Sequence, residues 1–175
     1  MNNIISSNHI PDAPIIAVMV SWNGKQHLTK SIPSILKELN GKGELLVIDN
    51  GSTDGSYEFI YDNFPSVFIF KTYENLGGSG GFNTGISIAL QSKNCRYIWL
   101  LDNDIEVETG ALKPLLQILE ENPQAGAAGS QICLYQDPQI IQEMGGFISS
   151  WLGNTELNKT GHKRLDPTQP FIQVD

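Results

Sequence analysis

Cysteine, positive charge and long apolar runs are all scarce in this sequence. Only two of the 175 residues are cysteine, and Cys95 and Cys133 form no CxxC motif, so no structural zinc site is predicted. Eleven Lys and Arg face nineteen Asp and Glu, a net charge of −8, which argues against a broad basic surface for nucleic acid. No apolar run approaches the roughly 20 residues of a membrane span, so no transmembrane segment is expected.

The same scarcities bear on where the protein works. Two widely separated thiols are typical of a reduced protein, and the first residues, MNNIISSNHIPDAP, lack the basic start and apolar run of a signal peptide. We therefore expect a cytoplasmic protein, with peripheral attachment to the inner face of the membrane left open. Apolar residues make up 40% of the chain and charged residues 17%, which is the composition of a folded globular domain.

Apolar runs typical of buried strands alternate with segments of helical periodicity. The strands are predicted at 15–22, 44–48, 66–72 and 96–104. Helices are predicted within 25–39, at 55–63, after a glycine-rich turn at 75–81, and at 109–122. Pro33 should delay or bend the first of these helices. The alternation predicts an α/β protein with a mostly parallel sheet flanked by helices.

The pattern changes after Gly126. Two strands are expected, in AGAAGSQICLYQ and QEMGGFIS, without a long helix between them. Residues 151–170 are polar without clear periodicity, and the final PFIQVD looks like the beginning of another strand. We therefore expect the chain to be part of a longer protein.

Polar residues and glycines follow four of the predicted strands. The segments read SWN, DNGSTD, NLGGSGG and DND. Since ligands of open parallel sheets bind beyond the carboxyl ends of the strands, the four segments together predict a binding cleft. Trp22 is either a core residue or a flat surface for stacking a nucleobase, and Asp49 either begins a turn or binds a base or ribose.

The glycine-rich segment GGSGGFNTG matches neither common nucleotide-binding motif. No Gly-Lys-Ser/Thr follows it, and Asn83 occupies the position of the third glycine of G-x-G-x-x-G after Gly78 and Gly80. Two interpretations stay open. The glycines either allow a tight entry into a helix or let a ligand lie against the backbone, with N–H groups near its phosphates.

Asp102 and Asp104 follow the apolar run YIWLL. In an extended segment, residues two apart point to the same side, so both carboxylates could bind one hard cation such as Mg²⁺ or Mn²⁺. Such a cation shares its other ligand positions with water and phosphate oxygens. The alternative is a strand end that is merely solvated.

Four of these motifs occur in a familiar order. VMVSWNG, VIDNGSTDGS, NLGGSGGFNTG and WLLDND resemble those of family 2 glycosyltransferases with the GT-A fold, over residues 14 to 135. NLGGSGGF is most similar to galactofuranosyltransferases and rhamnosyltransferase-like bacterial enzymes that build cell-surface glycans. The resemblance implies a GT-A (Rossmann-like) α/β fold with a less regular C-terminal part.

The resemblance also implies roles for matching residues. Trp22 would pack against the nucleotide base and Asp49 would recognise it. Asp102 would lie near the ribose and the metal, and Asp104 would be the catalytic acid that ligates the divalent ion, Mn²⁺ or Mg²⁺. One departure is Asn50, where many members have a second acid. The remaining residues implied to line the nucleotide-sugar pocket are Asn75, Gly77, Gly78 and Asn103.

The implied reaction is transfer of a sugar, with inversion, from a nucleotide-diphosphate donor to a glycan or lipid-linked acceptor. The donor would be a UDP- or dTDP-sugar, with galactofuranose or rhamnose as the candidate sugars. Residues 1–13 would be a flexible lead-in, 14–135 the nucleotide-sugar-binding domain and 136–175 the truncated start of an acceptor-side region. The oligomeric state is not predicted.

No catalytic base is evident before residue 175, since Asp166 and Asp175 lack a matching context. We therefore expect the chain to bind the donor and metal but to have little transferase activity alone. The alternatives are a non-catalytic carbohydrate- or nucleotide-binding module and a sugar-nucleotidyltransferase. The latter usually carries a glycine-rich loop with a basic residue after the first strand, which SWNGKQH does not supply.

Overall fold

The computed structural model describes residues 4–5, 9–148, 155–157 and 161–164, and divides the chain into two compact units, Met1–Gly110 and Ala111–Asp175. The elements of the first unit are β1 (Ile4–Ile5), β2 (Ile15–Ser21), α1 (Lys25–Leu39), β3 (Gly43–Asp49), α2 (Ser56–Asn63), β4 (Phe68–Lys71), α3 (Gly77–Ala89) and β5 (Tyr97–Asp102). The strand order is β1-β4-β3-β2-β5. Strands β2 to β5 pair in parallel, and β1, within the expected lead-in, pairs antiparallel to β4. The predicted α/β fold is confirmed.

Strands β2 and β3 form the centre of the sheet and are apolar along almost their whole length. Helices cover both faces of the sheet, so the side chains that point to either face are buried, as in other parallel sheets. Each fully buried Val, Ile or Leu contributes about 1.5–3 kcal/mol through removal of apolar surface from water. One cluster of this core comprises Ile16, Val18, Leu46, Ile48, Phe70, Ile88 and Ala89.

Helix α1 begins earlier than expected. It starts at Lys25 and continues across Pro33, so the predicted late start is wrong. Its first turn is supported from another loop, because the Lys25 N–H donates to Asp54 Oδ2 at 3.0 Å. Its buried face outweighs the hydrogen bond that proline removes. The helix ends at Asn40, whose left-handed conformation (φ 43°) is a common helix C-cap.

Helix α3 contains the glycines that were predicted to form a turn. Gly77 to Gly81 make up its first turns, so the helix begins at Gly77 and not after Gly81 as predicted. Gly81 is buried, and a Cβ there would lie 2.6 Å from Val20 Cγ1, while one at Gly85 would collide with Val18. These two glycines thus let the helix pack closely on the sheet, whereas Gly78 faces open space.

The described residues of the second unit form one helix and four short strands. These elements are α4 (Leu112–Glu121), β6 (Ile132–Cys133), β7 (Ile141–Glu143), β8 (Gly146–Ile148) and β9 (Thr155–Leu157). Strands β6 and β7 pair antiparallel, as do β8 and β9. The predicted strand at PFIQVD, with Asp166 and Asp175, lies outside the described residues. The expected functional boundaries at residues 13 and 135 stay predictions.

Among the described residues, no helix combines the length and the apolar character needed to cross a membrane.

Candidate functional site

A pocket of about 240 Å³ lies at the carboxyl edge of the sheet, beside the first turn of α3. Strand order and register place the ends of β2, β3 and β5 next to one another, which gathers their following turns. The pocket is lined by Val20, Trp22, Asn50, Asn75, Gly77, Gly78, Phe82, Asp102 and Asn103. Six of the eight residues singled out in the sequence are therefore brought together. Asp49 and Asp104 are not among the lining residues.

Trp22 presents a flat apolar surface at this pocket. Its side chain is 55% exposed, so it is not the core residue that one interpretation of the sequence allowed. The face of an exposed indole can stack on a flat ligand such as a nucleobase. The indole is therefore available to a planar ligand.

The turn after β5 does not follow the extended geometry assumed from the sequence. The strand ends at Asp102, and Asn103 and Asp104 lie in the turn that follows. Asn103 Nδ2 donates a hydrogen bond to Ser21 Oγ at 3.1 Å, which ties this turn to the end of β2. Only Asp102 is part of the strand, so strand alternation does not align its carboxylate with that of Asp104.

The two acids nevertheless act on each other electrostatically. Burial raises the pKa of Asp102 above its ordinary value, and the negative charge of Asp104 raises it further. Within the part of the chain that the structure describes, neither carboxylate accepts a hydrogen bond. The pair is thus a concentration of negative charge without a local donor to balance it.

The donor set of this turn fits a shared cation rather than a closed metal cage. No group of three or more His, Cys, Asp or Glu suited to a metal occurs among the described residues. Two carboxylates are hard oxygen ligands, and Mg²⁺ or Mn²⁺ accepts such a partial set when phosphate and water supply the rest. Asp102 and Asp104 therefore match a cation that a phosphate ligand helps to hold.

Gly24 makes room for the turn after β5. It precedes the first residue of α1, and a Cβ at this position would collide with the Asn103 amide and lie 3.3 Å from Ser21 Oγ. Since an amide held between two loops cannot move without losing its hydrogen bond, a side chain here would displace Asn103. The glycine of SWNG thus belongs to the site, although the sequence pointed only to Trp22.

The turn between β4 and α3 is held by two asparagines. Asn75 Oδ1 accepts hydrogen bonds from the Gly77 N–H at 2.8 Å and from Asn50 Nδ2 at 3.0 Å. Asn50 also donates to the Gly77 carbonyl and accepts from the Leu76 N–H, both at 3.0 Å. Gly51 (φ +77°) lets the backbone pass close to Glu74, since a Cβ there would lie 2.7 Å from its carbonyl carbon.

Asn50 is the pocket residue that the sequence analysis noticed only as a departure. It is 1% exposed and lies on the α3 face of the sheet, because the Cβ position of Gly81 is 3.3 Å from Asn50 Nδ2 and 2.6 Å from Val20 Cγ1. A buried amide must be hydrogen-bonded, so an asparagine directly after an apolar strand was a usable signal. Its partners are 25 to 27 residues away and could not be read from spacing.

Asp49 occupies the opposite face of the sheet from Asn50, as strand alternation requires. Its side chain is fully buried, and Oδ1 accepts the Ser52 N–H at 2.9 Å. Among the described residues Oδ2 has no hydrogen-bond partner, and the Lys71 ammonium lies 3.9 Å away. Lys71 Nζ also lies 5.1 Å from the centroid of the Tyr57 ring. Burial, with neighbouring negative groups, raises the pKa of Tyr57.

The loops after β2 and β3 are joined to each other by hydrogen bonds. Asn23, in a left-handed conformation (φ 49°), accepts the Thr53 N–H at 2.8 Å, and its own N–H donates to Ser52 Oγ at 3.0 Å. Asp54 accepts the N–H groups of Lys25 and Ser56, both at 3.0 Å. It therefore caps helices α1 and α2 at once.

Hydrogen bonding keeps Asp54 ionised. Burial alone would raise its pKa, but hydrogen bonds from Ser56 and from the Lys25 N–H outweigh that effect and lower the pKa below its ordinary value. The charge also lies at two helix N-termini, where the backbone dipoles favour an anion. The sequence predicts Thr53 or Asp54 as the cap of the helix at 55–63, and the structure shows Asp54 in that role. Its second bond, to the start of α1, could not be read from the sequence.

A larger depression, of about 800 Å³, lies at the amino ends of β3 and β4. Its single acidic lining residue, Glu44, already accepts the Asp12 N–H at 2.7 Å. The other lining residues are largely aromatic or apolar and bring no polar groups together. The carboxyl edge is therefore the better candidate for chemistry.

The comparisons with known proteins agree on one family. The family described as Glycosyl transferase family 2 matches residues 16–172. Galactofuranosyltransferase GlfT1 of Mycolicibacterium smegmatis is 28% identical over 129 residues, 73% of this chain and 42% of that protein. N-acetylglucosaminyl-diphospho-decaprenol L-rhamnosyltransferase of Mycobacterium tuberculosis (strain H37Rv) is 27% identical over 132 residues, 71% of this chain and 41% of that protein.

A solved structure supports the fold. The mannosyltransferase PcManGT of Pyrobaculum calidifontis, in complex with GDP-Man and Mn²⁺, has a TM-score of 0.54 and 16% identity, covering 74% of this chain and 38% of that one. The chain spans less than half the length of the curated relatives that it matches here.

Proposed function

The chain belongs to glycosyl transferase family 2, and from that membership we propose that its first unit is the donor-binding part of an inverting glycosyltransferase. The pocket at the carboxyl edge of the sheet would bind the nucleotide diphosphate of the donor. Sugar transfer to a hydroxyl of a glycan or lipid-linked acceptor would follow. Residues 14–135 would carry donor binding, and residues 136–175 would begin the acceptor side.

One observation carries the proposal most directly. An exposed indole, a helix N-terminus bearing glycines and Asp102, whose carboxylate is repelled by the nearby Asp104, meet at one pocket. A diphosphate cannot approach two carboxylates unless a cation neutralises part of the charge, and helix N–H groups then favour the anion from the other side. The three features are chemically consistent with base, phosphate and metal-bound phosphate respectively.

Each part of the pocket then has a defined task. The Trp22 indole stacks on the base, and Gly78 allows the diphosphate to approach the backbone because no Cβ intervenes. Asp102 and Asp104 would hold Mn²⁺ or Mg²⁺, and Asn103 fixes their turn through Ser21. When bound, the cation would stabilise the charge that develops on the leaving diphosphate.

Asp49 is proposed to recognise the base through its carboxylate. The support is chemical, because Oδ2 is a hydrogen-bond acceptor without a partner among the described residues. Such an atom is costly to bury and gains from an N–H donor. Because the side chain is fully buried, a base reaches it only if neighbouring side chains move. Lys71, which is about one-third exposed and lies 3.9 Å from Oδ2, is one of these neighbours.

The finer assignments rest on the names of the relatives. The galactofuranosyltransferase and the rhamnosyltransferase support a donor carrying galactofuranose or rhamnose on UDP or dTDP, for synthesis of a cell-surface glycan. Acceptors of that kind would place the protein in the cytoplasm, at the inner face of the membrane.

Isothermal titration calorimetry of the full chain tests the proposal. UDP, dTDP and GDP are titrated with and without Mn²⁺, and a UDP-sugar is compared with free UDP. We expect UDP or dTDP to bind only when the cation is present. Absence of nucleotide binding under all conditions would favour a non-catalytic module, and binding that is independent of the cation would remove the metal assignment.

A further inference from the structure

Asn50 makes three hydrogen bonds to the turn that begins α3. Its Nδ2 donates to Asn75 Oδ1 and to the Gly77 carbonyl, and its Oδ1 accepts the Leu76 N–H, each at 3.0 Å. The Thr72 hydroxyl lies 3.3 Å from Oδ1, but its one proton is better placed on the Glu74 carbonyl at 2.8 Å. The side chain is 1% exposed, so water cannot replace these bonds.

The orientation of this amide is fixed by groups whose polarity is not in doubt. The Leu76 N–H can only donate, and the Gly77 carbonyl can only accept. A flipped amide would face donor to donor and acceptor to acceptor at both places. The turn therefore requires one donor group and one acceptor group from position 50.

The hydrogen bonds decide which N–H groups of α3 stay available. The first N–H groups of a helix have no partner within the helix. Here the Leu76 N–H is taken by Asn50 and the Gly77 N–H by Asn75. Among the described residues the N–H groups of Gly78 and Ser79 have no hydrogen-bond acceptor, and Gly78 lines the pocket.

We propose that Asn50 is a positioning residue of the nucleotide pocket, whose amide fixes the start of α3 and so leaves the Gly78 and Ser79 N–H groups for the diphosphate. The proposal rests on the proposed function of this pocket. Asn50 itself donates both amide protons to the turn and need not contact the ligand. It is thus not a substitute for an acid that recognises the base.

An acid at this position would have a predictable defect. An aspartate at residue 50 keeps the acceptor for the Leu76 N–H but places a second oxygen beside Asn75 Oδ1 and the Gly77 carbonyl, where a donor is needed. Ionised, it repels both oxygens. Protonated, it donates to one of them, and the burial of the site favours that form. The defect should therefore shrink as the pH falls.

The experiment compares Asn50→Asp with the parent chain by calorimetric titration of UDP in the presence of Mn²⁺. At a pH of about 8 we expect the variant to bind about tenfold more weakly, the loss for a buried hydrogen-bonding group left unpaired. At a pH of about 5.5 the ratio of parent to variant affinity should fall, because a larger fraction of the introduced carboxyl is then protonated. The ratio removes the pH dependence that both proteins share through the metal site.

Asn40→Asp is the matched control. It makes the same change from amide to acid at an exposed position at the end of α1, in a left-handed conformation that aspartate tolerates. Its affinity should equal that of the parent at both pH values. Equal affinity of Asn50→Asp and the parent at a pH of about 8, or a loss that is the same at both pH values, would overturn the proposal.

A second measurement needs neither a folded variant nor a nucleotide. In the parent chain alone, amide hydrogen exchange should be slower at Leu76 and Gly77 than at Gly78 and Ser79, because only the first two N–H groups have side-chain acceptors. Equal exchange at all four overturns the proposal. Slow exchange at the first two together with no UDP binding would contradict only the proposed function.

Discussion

The turns that follow β3 and β5 lie at the same edge of one sheet but differ in how their polar groups are satisfied. Residues 49–54 make hydrogen bonds within their own turn and to the loop after β2, and Asp54 accepts N–H groups from two helices. In 102–104 the asparagine is anchored, but neither acid accepts a hydrogen bond from the described residues. Hydrogen bonds lower the pKa of Asp54, whereas burial and a second negative charge raise that of Asp102.

The difference indicates which acids stabilise the fold and which are candidates for binding a ligand. A carboxylate that is capped by backbone N–H groups stabilises the folded chain without any addition. A pair of carboxylates that only repel each other costs stability, and the cost is recovered when a cation binds. The amino-acid composition does not distinguish these acids. Their hydrogen bonds and their neighbouring charges distinguish the structural Asp54 from the candidate metal ligands Asp102 and Asp104.

The largest effect is expected when Asp104, whose charge repels that of Asp102 in the β5 turn, is removed. We expect Asp104→Ala to weaken UDP binding in the presence of Mn²⁺ by about 10- to 100-fold, since a lost ligand group lowers metal affinity at least as much as a lost supporting group. Calorimetric titration measures it. Glu106→Ala removes an acid two residues further on and should leave the affinity unchanged. Parent-like affinity of Asp104→Ala would exclude this residue from the metal site.

Asp49, at the beginning of the β3 turn, tests whether one acid of that turn also binds the ligand. We expect Asp49→Asn to weaken UDP binding by about tenfold, because a charged acceptor for the base is lost. Binding of inorganic diphosphate in the presence of Mn²⁺ should stay unchanged, since the phosphate and metal groups are untouched. An equal loss for both ligands would show that Asp49 acts through the structure of the pocket.

Asp54 tests whether the turn after β3 stabilises the fold. Asp54→Ala removes the cap of both α1 and α2, and we expect a loss of about 1–2 kcal/mol in the free energy of unfolding, measured by urea denaturation. Asp62→Ala, an exposed acid of α2, is the control and should change little. An unchanged midpoint for Asp54→Ala would show that the caps are replaced by water.

The pH dependence of this stabilisation follows from the sign of the pKa shift. The pKa of Asp54 is lower in the folded chain than in the unfolded one. Its contribution is therefore fully present above the ordinary aspartate value of about 3.9 and is lost as the pH falls through the folded value. The difference between the parent and Asp54→Ala should disappear in acid. A difference that persists there would contradict the assignment.

The fold was predictable from sequence because its signals are local. The apolar runs of β2 and β3 and the helical spacing in α1 each report burial of a nearby face. The prediction that failed at α3 concerned glycines that are required by contacts with residues far away in the sequence. Gly81 and Gly85 are small because Val20 and Val18 lie against them, and that packing exists only once the sheet has formed.

The site was predictable where it depended on strand ends and not where it depended on contacts across loops. Asp102 and Trp22 follow apolar strands and were recognised. The bonds of Asn50 to the start of α3 and the bond of Asp54 to α1 join residues 25 to 29 apart, which no spacing rule supplies. The burial of Asp49 was missed for the same reason, since it depends on the helices that cover that face of the sheet.

The smallest expected effect is a change in stability at the β5 turn. The raised pKa of Asp102 means that the folded chain holds this proton more tightly than the unfolded chain. Stability therefore falls as the pH rises from the ordinary aspartate value through the folded one, and it stays lowered at neutral pH. Asp102→Asn removes that penalty while keeping the shape of the side chain.

We expect Asp102→Asn to raise the free energy of unfolding of the cation-free chain at neutral pH, by no more than about 0.5 kcal/mol because the side chain is only partly buried and water screens its charge. Urea denaturation at neutral pH and in acid measures it, and the gain should vanish in acid, where the parent carboxyl is protonated too. With Mn²⁺ and UDP the order should reverse, since only the parent gains stability from ligand binding. A variant that is less stable than the parent without the cation would mean that Asp102 is part of the scaffold, like Asp54.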